Sequence, residues 1–419
     1  MKIKYEVYEE ALAEELIPAM GCTEPIAIAY CAAVCREQLG CFPEDIEIWV
    51  SRNIIKNVKS VVVPNTNKMK GIEVACAAGM VAAHSERQLE VLAYITEAEK
   101  AEIKALAESG KIKIRVSEEP DIFYIRILAA AKNNNAEVTI RTDHTNITCI
   151  KRNGVTIMEK PIMPEEENAQ GLWAIEEIIS AARSMPLDNV LPLIKRQVKY
   201  NMDISQEGLT HDYGAAIGKI LLSRDTKSMR LLARASAAAG SDARMNGCEL
   251  PVVIVSGSGN QGITASVPVV VYAKKLEADE EATYRAVLLS DLVTIYLKQG
   301  IGKLSAYCGA ICAGAGSGAG IAYLYGCTDE QIAHTVENAL AINSGIICDG
   351  AKSSCAAKIS IAVEGGLLGL DMSRSERNFE GGDGIVQKTT DETIAAVGKI
   401  ASRGMVDTDK EIIDVMLGI

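Results

Sequence analysis

Histidine is scarce in this 419-residue chain. There are four, His84, His144, His211 and His334, and none falls in an HExxH or HxxxH pattern. A histidine-based zinc site is therefore not expected. No two cysteines are spaced CxxC, so zinc ribbons and thioredoxin-type motifs are absent too. Aromatic residues make up only 4% while alanine and glycine abound, so the cores must rest on close backbone approach. Basic charge is not in excess: the formal net charge is -12 and no basic stripe offsets it. That argues against nucleic acid or an anionic membrane as the main partner. The opening residues, Met-Lys-Ile-Lys-Tyr-Glu-Val-Tyr-Glu-Glu, contain no apolar leader run.

One uncharged stretch, residues 304–328, is long enough to cross a bilayer. Its run Ser305-Ala-Tyr-Cys-Gly-Ala-Ile-Cys-Ala-Gly-Ala-Gly-Ser-Gly-Ala-Gly320 is too weakly hydrophobic to insert well. Burial inside a helical domain is the expectation, and no membrane association is expected.

What the chain does have is cysteine, twelve in all. In a long chain without an apolar leader this suggests a reducing compartment, so the expected location is the cytoplasm. Two cysteines stand just before helix starts. Thr23 is a good N-cap and Pro25 suits a first helical turn, leaving Cys22 immediately outside. Cys348 precedes the turn residues Asp349 and Gly350, and 351–369 reads as a helix. Unsatisfied N–H groups and the helix dipole favour an anion there, including a thiolate. Thiolates bind soft metals and iron–sulfur clusters. Cys308, between Tyr307 and Gly309, has small neighbours that let chains approach. Spacing alone shows no ferredoxin run and leaves the ligand set open. Cys31, Cys35 and Cys41 read as packing residues.

The fold class expected is α+β, a large mostly helical domain with a smaller inserted α+β domain of antiparallel or mixed sheet. The helical catalytic domain takes residues 1–41 and 161–419, and the insertion takes 42–160. Within 42–160, strands are read at 47–50, 60–63, 111–116, 123–128, 137–141, 147–151 and 155–159, with helices at 71–85 and 97–109. Arg152-Asn153-Gly154 is a strong hairpin cue. Elsewhere helices are read at 5–18, from Thr23 to Leu39, and at 168–183, 188–203, 206–223, 226–240, 278–298, 304–325, 329–343, 351–369 and 407–417.

Gly257-Ser-Gly259-Asn-Gln-Gly262 matches GxGxxG and precedes a helix. Its surroundings do not alternate strand and helix, and Pro268 falls six residues into that helix, so a nicotinamide dinucleotide is the weaker reading. Backbone amides at a glycine-rich helix start suit a small carboxylate, with Ser256, Gly257, Ser258, Gly259, Asn260 and Gln261 as the substrate-binding loop. A tight turn that needs glycine is the competing explanation. Arg244 and Asn246 could pair with a carboxylate. The polar loop Asn65-Thr-Asn67 could close over the substrate, and Asp143-His144 is a lesser catalytic candidate.

Gly21-Cys-Thr-Glu-Pro25, Ser256-Gly-Ser-Gly-Asn-Gln-Gly-Ile-Thr-Ala-Ser266 and Cys348-Asp-Gly-Ala-Lys352 together resemble the L-cysteine desulfidase family, related to the iron–sulfur L-serine dehydratase alpha chain. The resemblance covers essentially the whole chain. It implies a [4Fe–4S] cluster held by Cys22, Cys308 and Cys348, with Cys312 and Cys355 as further candidates. The chain departs from the dehydratase pattern in having Cys-Asp-Gly where a CDP-type motif is expected. The implied activity is elimination of the β-substituent of L-cysteine to sulfide, ammonia and pyruvate, without pyridoxal phosphate. The sequence does not fix the base; Lys352 and Lys358 are both near Cys348, and Lys352 is the catalytic candidate, Lys358 reading rather as a surface lysine on a helix face. The alternatives are serine dehydration and, more remotely, a nucleotide-binding oxidoreductase or an amino-acid sensor. The expected partners are a small amino-acid substrate and, as an assembly, a homodimer.

Overall fold

Strand-forming sequence is concentrated between residues 45 and 159, where β-branched residues alternate with polar ones and turn signals punctuate them. The computed structural model describes residues 5–161, 173–302 and 304–418. Its first elements are α1 (Tyr5–Glu15), β1 (Pro18–Met20), α2 (Thr23–Leu39), β2 (Asp45–Val50), α3 (Arg52–Val58), α4 (Ile72–Ala82) and α5 (Glu97–Glu108). Then come β3 (Ile112–Val116), β4 (Tyr124–Ala131), β5 (Asn134–Arg141), β6 (Ile147–Arg152) and β7 (Val155–Glu159). Six strands form one sheet in the order β3-β2-β4-β5-β6-β7. Only β2 and β3 run parallel; the other pairs are antiparallel. The class is α+β, as the sequence indicates.

Helix α2 covers this sheet. Every residue from Thr23 to Cys35 is buried, as a helix that is apolar all round requires. Cys31 and Cys35 donate their thiols to the carbonyls of Val138 and Ala136, at 3.5 and 3.3 Å, and so pack as small hydrophobes.

The remaining elements are α6 (Ile175–Ser184), α7 (Leu191–Thr210), α8 (Ile217–Leu222), α9 (Met229–Met245), β8 (Pro251–Val253), α10 (Gly259–Lys275), α11 (Glu280–Ile301) and α12 (Ala310–Leu324). They end with α13 (Asp329–Asn343), α14 (Cys355–Arg374), α15 (Thr390–Lys399) and α16 (Val406–Leu417). The charge-free glycine run is the buried helix α12, whose residues Ala310 to Ala322 are all inside. Its backbone meets that of α14: a Cβ on Gly314 would lie 2.3 Å from the Ala362 carbonyl oxygen. Small residues are needed there because two helix backbones touch. Among the described residues, no helix is long and apolar enough to cross a membrane.

Several boundaries differ from the sequence reading. The first helix stops at Glu15, because Pro18–Met20 pairs antiparallel with Pro251–Val253. Residues 60–63 make no strand, only an isolated bridge between Val62 and Lys70. Helix α3, which the reading omits, is capped by Ser51, whose side chain accepts from the Ile54 N–H. Helix α10 continues through Pro268. The helix after Cys348 starts at Cys355 rather than 351, and the one read at 304 starts at Ala310. The start of the helix read at 168–183 lies outside the described residues; α6 begins at Ile175.

Candidate active site

Two short backbone pairings bring distant segments together. The β1–β8 ribbon sets the Gly21–Cys22 corner beside the loop leading into α10. A Cβ on Gly21, at φ +63°, would lie 2.2 Å from Pro64 Cγ, so only glycine allows this corner. An isolated antiparallel bridge joins Tyr307 to Ile347, with the Cys308 N–H donating to the Ile346 carbonyl at 3.1 Å. The Cys348 N–H in turn donates to the Ala306 carbonyl at 2.6 Å. Side chains alternate along extended backbone, so Cys308 and Cys348 share the face opposite Tyr307 and Ile347.

Cys22, Cys308 and Cys348 all line one cavity of about 110 Å³, and Cys355, at the first turn of α14, lines it as well. Cys312 is fully buried and outside this lining. Burial pushes the Cys308 thiol up to about 12, with the nearby Cys348 adding to the shift. Burial also raises Cys22 and Cys355. Cys22 is the N-cap of α2 and donates its thiol to Glu24 Oε2 at 3.0 Å. Glu24 Oε1 accepts from Asn57 Nδ2 at 2.9 Å, and Thr23 donates to Glu24 Oε2 and to the Gly257 carbonyl.

Among the described residues, no three His, Cys, Asp or Glu side chains gather as they would around a single metal ion. An iron–sulfur cluster would instead be held by thiolates that can come from remote segments of the chain. The donor set fits that demand: thiols from remote segments in one wall, with the buried cations Arg244, Lys298 and Lys56 around them. Lys56 is paired with Asp409 of α16. Burial lowers the Lys298 ammonium, against the raising effect of Cys312, Cys348 and Cys308.

The loop before α10 is a tight turn. Val255 and Ser258 exchange backbone hydrogen bonds, and the residues between them, Ser256 and Gly257, have φ of 48° and 74°. That is the type I′ pattern, unusual for a serine. Ser256, Gly257, Ser258, Asn260 and Gln261 line the cavity. Gly259 does not; a Cβ there would lie 2.4 Å from Arg244 Nε. A Cβ on Gly262 would lie 2.0 Å from the Val253 carbonyl oxygen. The GxGxxG spacing is thus explained by a tight turn and close packing, without a dinucleotide.

Other residues singled out in the sequence lie elsewhere. Lys352 Nζ donates to the Asp349 and Gly350 carbonyls, at 2.7 and 3.2 Å, pairs with the Asp349 carboxylate, and is not in the lining. Asn65 and Asn67 are also outside it. Asn65 donates to the Leu92 carbonyl at 2.7 Å, and Asn67 is exposed. Their loop supports the Gly21 corner through Pro64. Asn246 caps α9 and accepts from Ser353. By contrast, His144 is 3% exposed and lines the cavity, with its ring edge-on to Phe123 at 4.7 Å. Glu24 belongs to the lining through the Gly21–Pro25 motif, while Asn57 and Lys298 line it with no motif signal; Ser51 before an amphipathic turn is the cue that would have found α3 and with it Asn57.

Comparison with known proteins points to an enzyme of the lyase type. A family model described as the serine dehydratase alpha chain matches residues 86–414. The chain belongs to the serine dehydratase alpha-chain family. It is similar over nearly its whole length to proteins named only UPF0597 protein. That of Desulfitobacterium hafniense is 49% identical over 416 residues, covering 99% of this chain and 97% of the relative. That of Finegoldia magna is 46% identical over 98% of this chain and 99% of its own. The protein of Lachnoclostridium phytofermentans is 43% identical, at 99% and 100%.

Proposed function

We propose that the protein is an iron–sulfur-dependent lyase that eliminates the β-substituent of L-cysteine, releasing sulfide, ammonia and pyruvate. The observation that carries this reading is the meeting of Cys22, Cys308 and Cys348 in the wall of one cavity, in a chain of this family. These three residues would hold a [4Fe–4S] cluster, with Cys355 beside them. When bound, the cluster supplies a Lewis-acidic iron that makes the β-thiol or β-hydroxyl a better leaving group.

The chain's own residues hold the substrate and take the proton. Elimination breaks Cα–H and Cβ–S; the C–H electron pair becomes the double bond of aminoacrylate, and sulfur leaves with the Cβ–S pair. Aminoacrylate tautomerises and takes up water, giving pyruvate and ammonium. Histidine is the side chain that most often moves protons at neutral pH, and His144 is the one in this wall. We therefore assign the proton to the His144 imidazole, rather than to Lys352, whose Nζ is engaged by its own turn. His144→Asn should lower sulfide and pyruvate release by about 100-fold or more. Lys352→Met should retain most of the activity. The opposite result returns the base to Lys352.

A second reading, serine dehydration, is favoured by the description of the family model. Pyruvate release from L-serine and L-cysteine, compared on one anaerobically reconstituted preparation, separates the two.

A further inference from the structure

Helix α7 turns a polar stripe toward the interior of the protein. Gln197 and Asn201, one turn apart, have no exposed surface, and Ser205, a turn further on, is buried as well. Asn201 grips β8 at both backbone groups of Val253. The Val253 N–H donates to Asn201 Oδ1 at 2.9 Å, and Asn201 Nδ2 donates to the Val253 carbonyl at 3.2 Å. Gln197 Nε2 reaches across to α11 and donates to Asp291 Oδ1 at 2.8 Å. The stripe thereby ties α11 to β8, the strand whose pairing with β1 sets the Gly21–Cys22 corner.

With an ionised carboxyl, this contact leaves two acceptors without a donor, Asp291 Oδ2 and Gln197 Oε1, both buried. Turning the amide round does not help, since Gln197 Oε1 would then meet Asp291 Oδ1, acceptor against acceptor. A proton on the carboxyl answers both needs, because a carboxylic acid and a primary amide each present one donor and one acceptor. Among the described residues, no cation compensates Asp291. Helix α12 carries no charged residue, Arg183 of α6 is paired with Asp329, and Arg196 of α7 donates to the Leu16 carbonyl. Asp391 of α15 accepts from Tyr296, while Lys274 of α10 and Arg403 are exposed. On α11 itself Lys298 lies two turns away, where Glu15 of α1 and the thiols of Cys308, Cys312 and Cys348 act on it. Besides burial, the influence on the Asp291 carboxyl is the Gln197 hydrogen bond. An ionised carboxylate in such a place is costly, and a protonated one is not.

We propose that Asp291 is a carboxylic acid in the native protein and donates from Oδ2 to Gln197 Oε1, closing a doubly hydrogen-bonded acid–amide pair between α11 and α7. Loss of this proton to alkaline solvent opens the pair and loosens the Cys22 corner, since the two oxygens left behind repel each other. Burial pushes the carboxyl up to about 8, which puts the release at mildly alkaline pH. Asp291 is thus a positioning residue, acting on Cys22 through Gln197, Asn201 and β8. This holds whichever reaction the cavity performs.

Infrared difference spectra between about pH 7 and pH 10 test the protonation, and hydrogen exchange at the Val253 N–H tests the lock. Wild type should lose a protonated-carboxyl C=O band over this range, at about 8, and Asp291→Asn should show no such band. Asp242, also raised by burial, reaches about 6 and is largely ionised before this range begins. The protection factor of the Val253 amide should fall about tenfold or more in wild type over the same range. Asp291→Asn keeps an N–H where the acid has its O–H, so its protection should hold; Gln197→Leu should lower protection at every pH. No carboxyl band assignable to Asp291 at pH 7 overturns the proposal. So does wild-type Val253 protection that is independent of pH, or that falls equally in Asp291→Asn. An unfolding midpoint that moves when potassium is exchanged for sodium or choline overturns it too, because a bound cation would then neutralise an ionised Asp291.

Discussion

Asp291 has no exposed surface and accepts from Gln197 Nε2 at 2.8 Å through one oxygen, while its other oxygen has no partner. Burial pushes this carboxyl up to about 8. A carboxyl raised in this way favours folding while protonated, so its contribution is complete below the unfolded value near 4. It is lost as pH rises through about 8. Asp291→Asn removes the penalty of ionisation. Thermal unfolding at pH 5, 7 and 9 should show a variant whose advantage over wild type grows with pH, on the order of a few kcal/mol at most. A pH-independent difference would mean that Asp291 does not titrate in this range. The cavity residues carry a related lesson. Cys22 stood out because cap chemistry is local, and the 256–262 loop because glycine marks tight backbone; Cys348, expected at a helix start, stands seven residues before α14 and is placed by the Tyr307–Ile347 bridge instead. Arg244 and the Gly21–Pro25 motif with Glu24 were legible, whereas Asn57 and Lys298 matter only through what surrounds them, and burial of a lone polar residue has no signature in its sequence neighbours.

At the scale of elements, the corner at Gly21 is the most constrained joint. It holds a positive φ and touches Pro64, so Gly21→Ala must shift either Cys22 or the 64–67 loop. The variant should lose about 1–3 kcal/mol of stability and take up less iron on reconstitution. Unchanged iron content would show that this corner does not position Cys22. Gly314→Val on α12 should cost a similar amount through the α12–α14 contact while leaving the cavity lining itself unaltered. Most long helices and six of the seven strands read between 42 and 160 were legible, because periodicity persists over many residues. The elements misplaced are mostly short or set by distant partners, though the reading also split the 20-residue α7 between 203 and 206 and ran its second half through the break before α8. Pro18–Met20 is extended because Pro251–Val253 lies beside it. Residues 60–63 look like a strand by composition but find no sheet edge, and α3 is only seven residues long. Helix α15 is a similar case, ten residues with Thr389 as its cap.

For the whole molecule, remote contacts assemble the site. Cys22 arrives on a helix that covers the sheet, Cys308 and Cys348 on a two-strand bridge, and His144 from the turn between β5 and β6. The side chain of Asp409, on α16, holds Lys56 in the wall from behind. A division into an inserted unit at 42–160 and a helical remainder would put the proposed cysteine ligands and the proposed proton acceptor His144 on different units, and we propose that both are needed for turnover. The family assignment gives this assembly a reaction class. The central claim is that Cys22, Cys308 and Cys348 jointly hold a cluster. Anaerobic reconstitution followed by iron and acid-labile sulfide analysis, on wild type and on Cys348→Ala, tests it most directly. The account predicts about four irons per wild-type chain and a large loss in the variant. A wild type that takes up no iron, or a Cys348→Ala protein that holds as much as wild type, would contradict it.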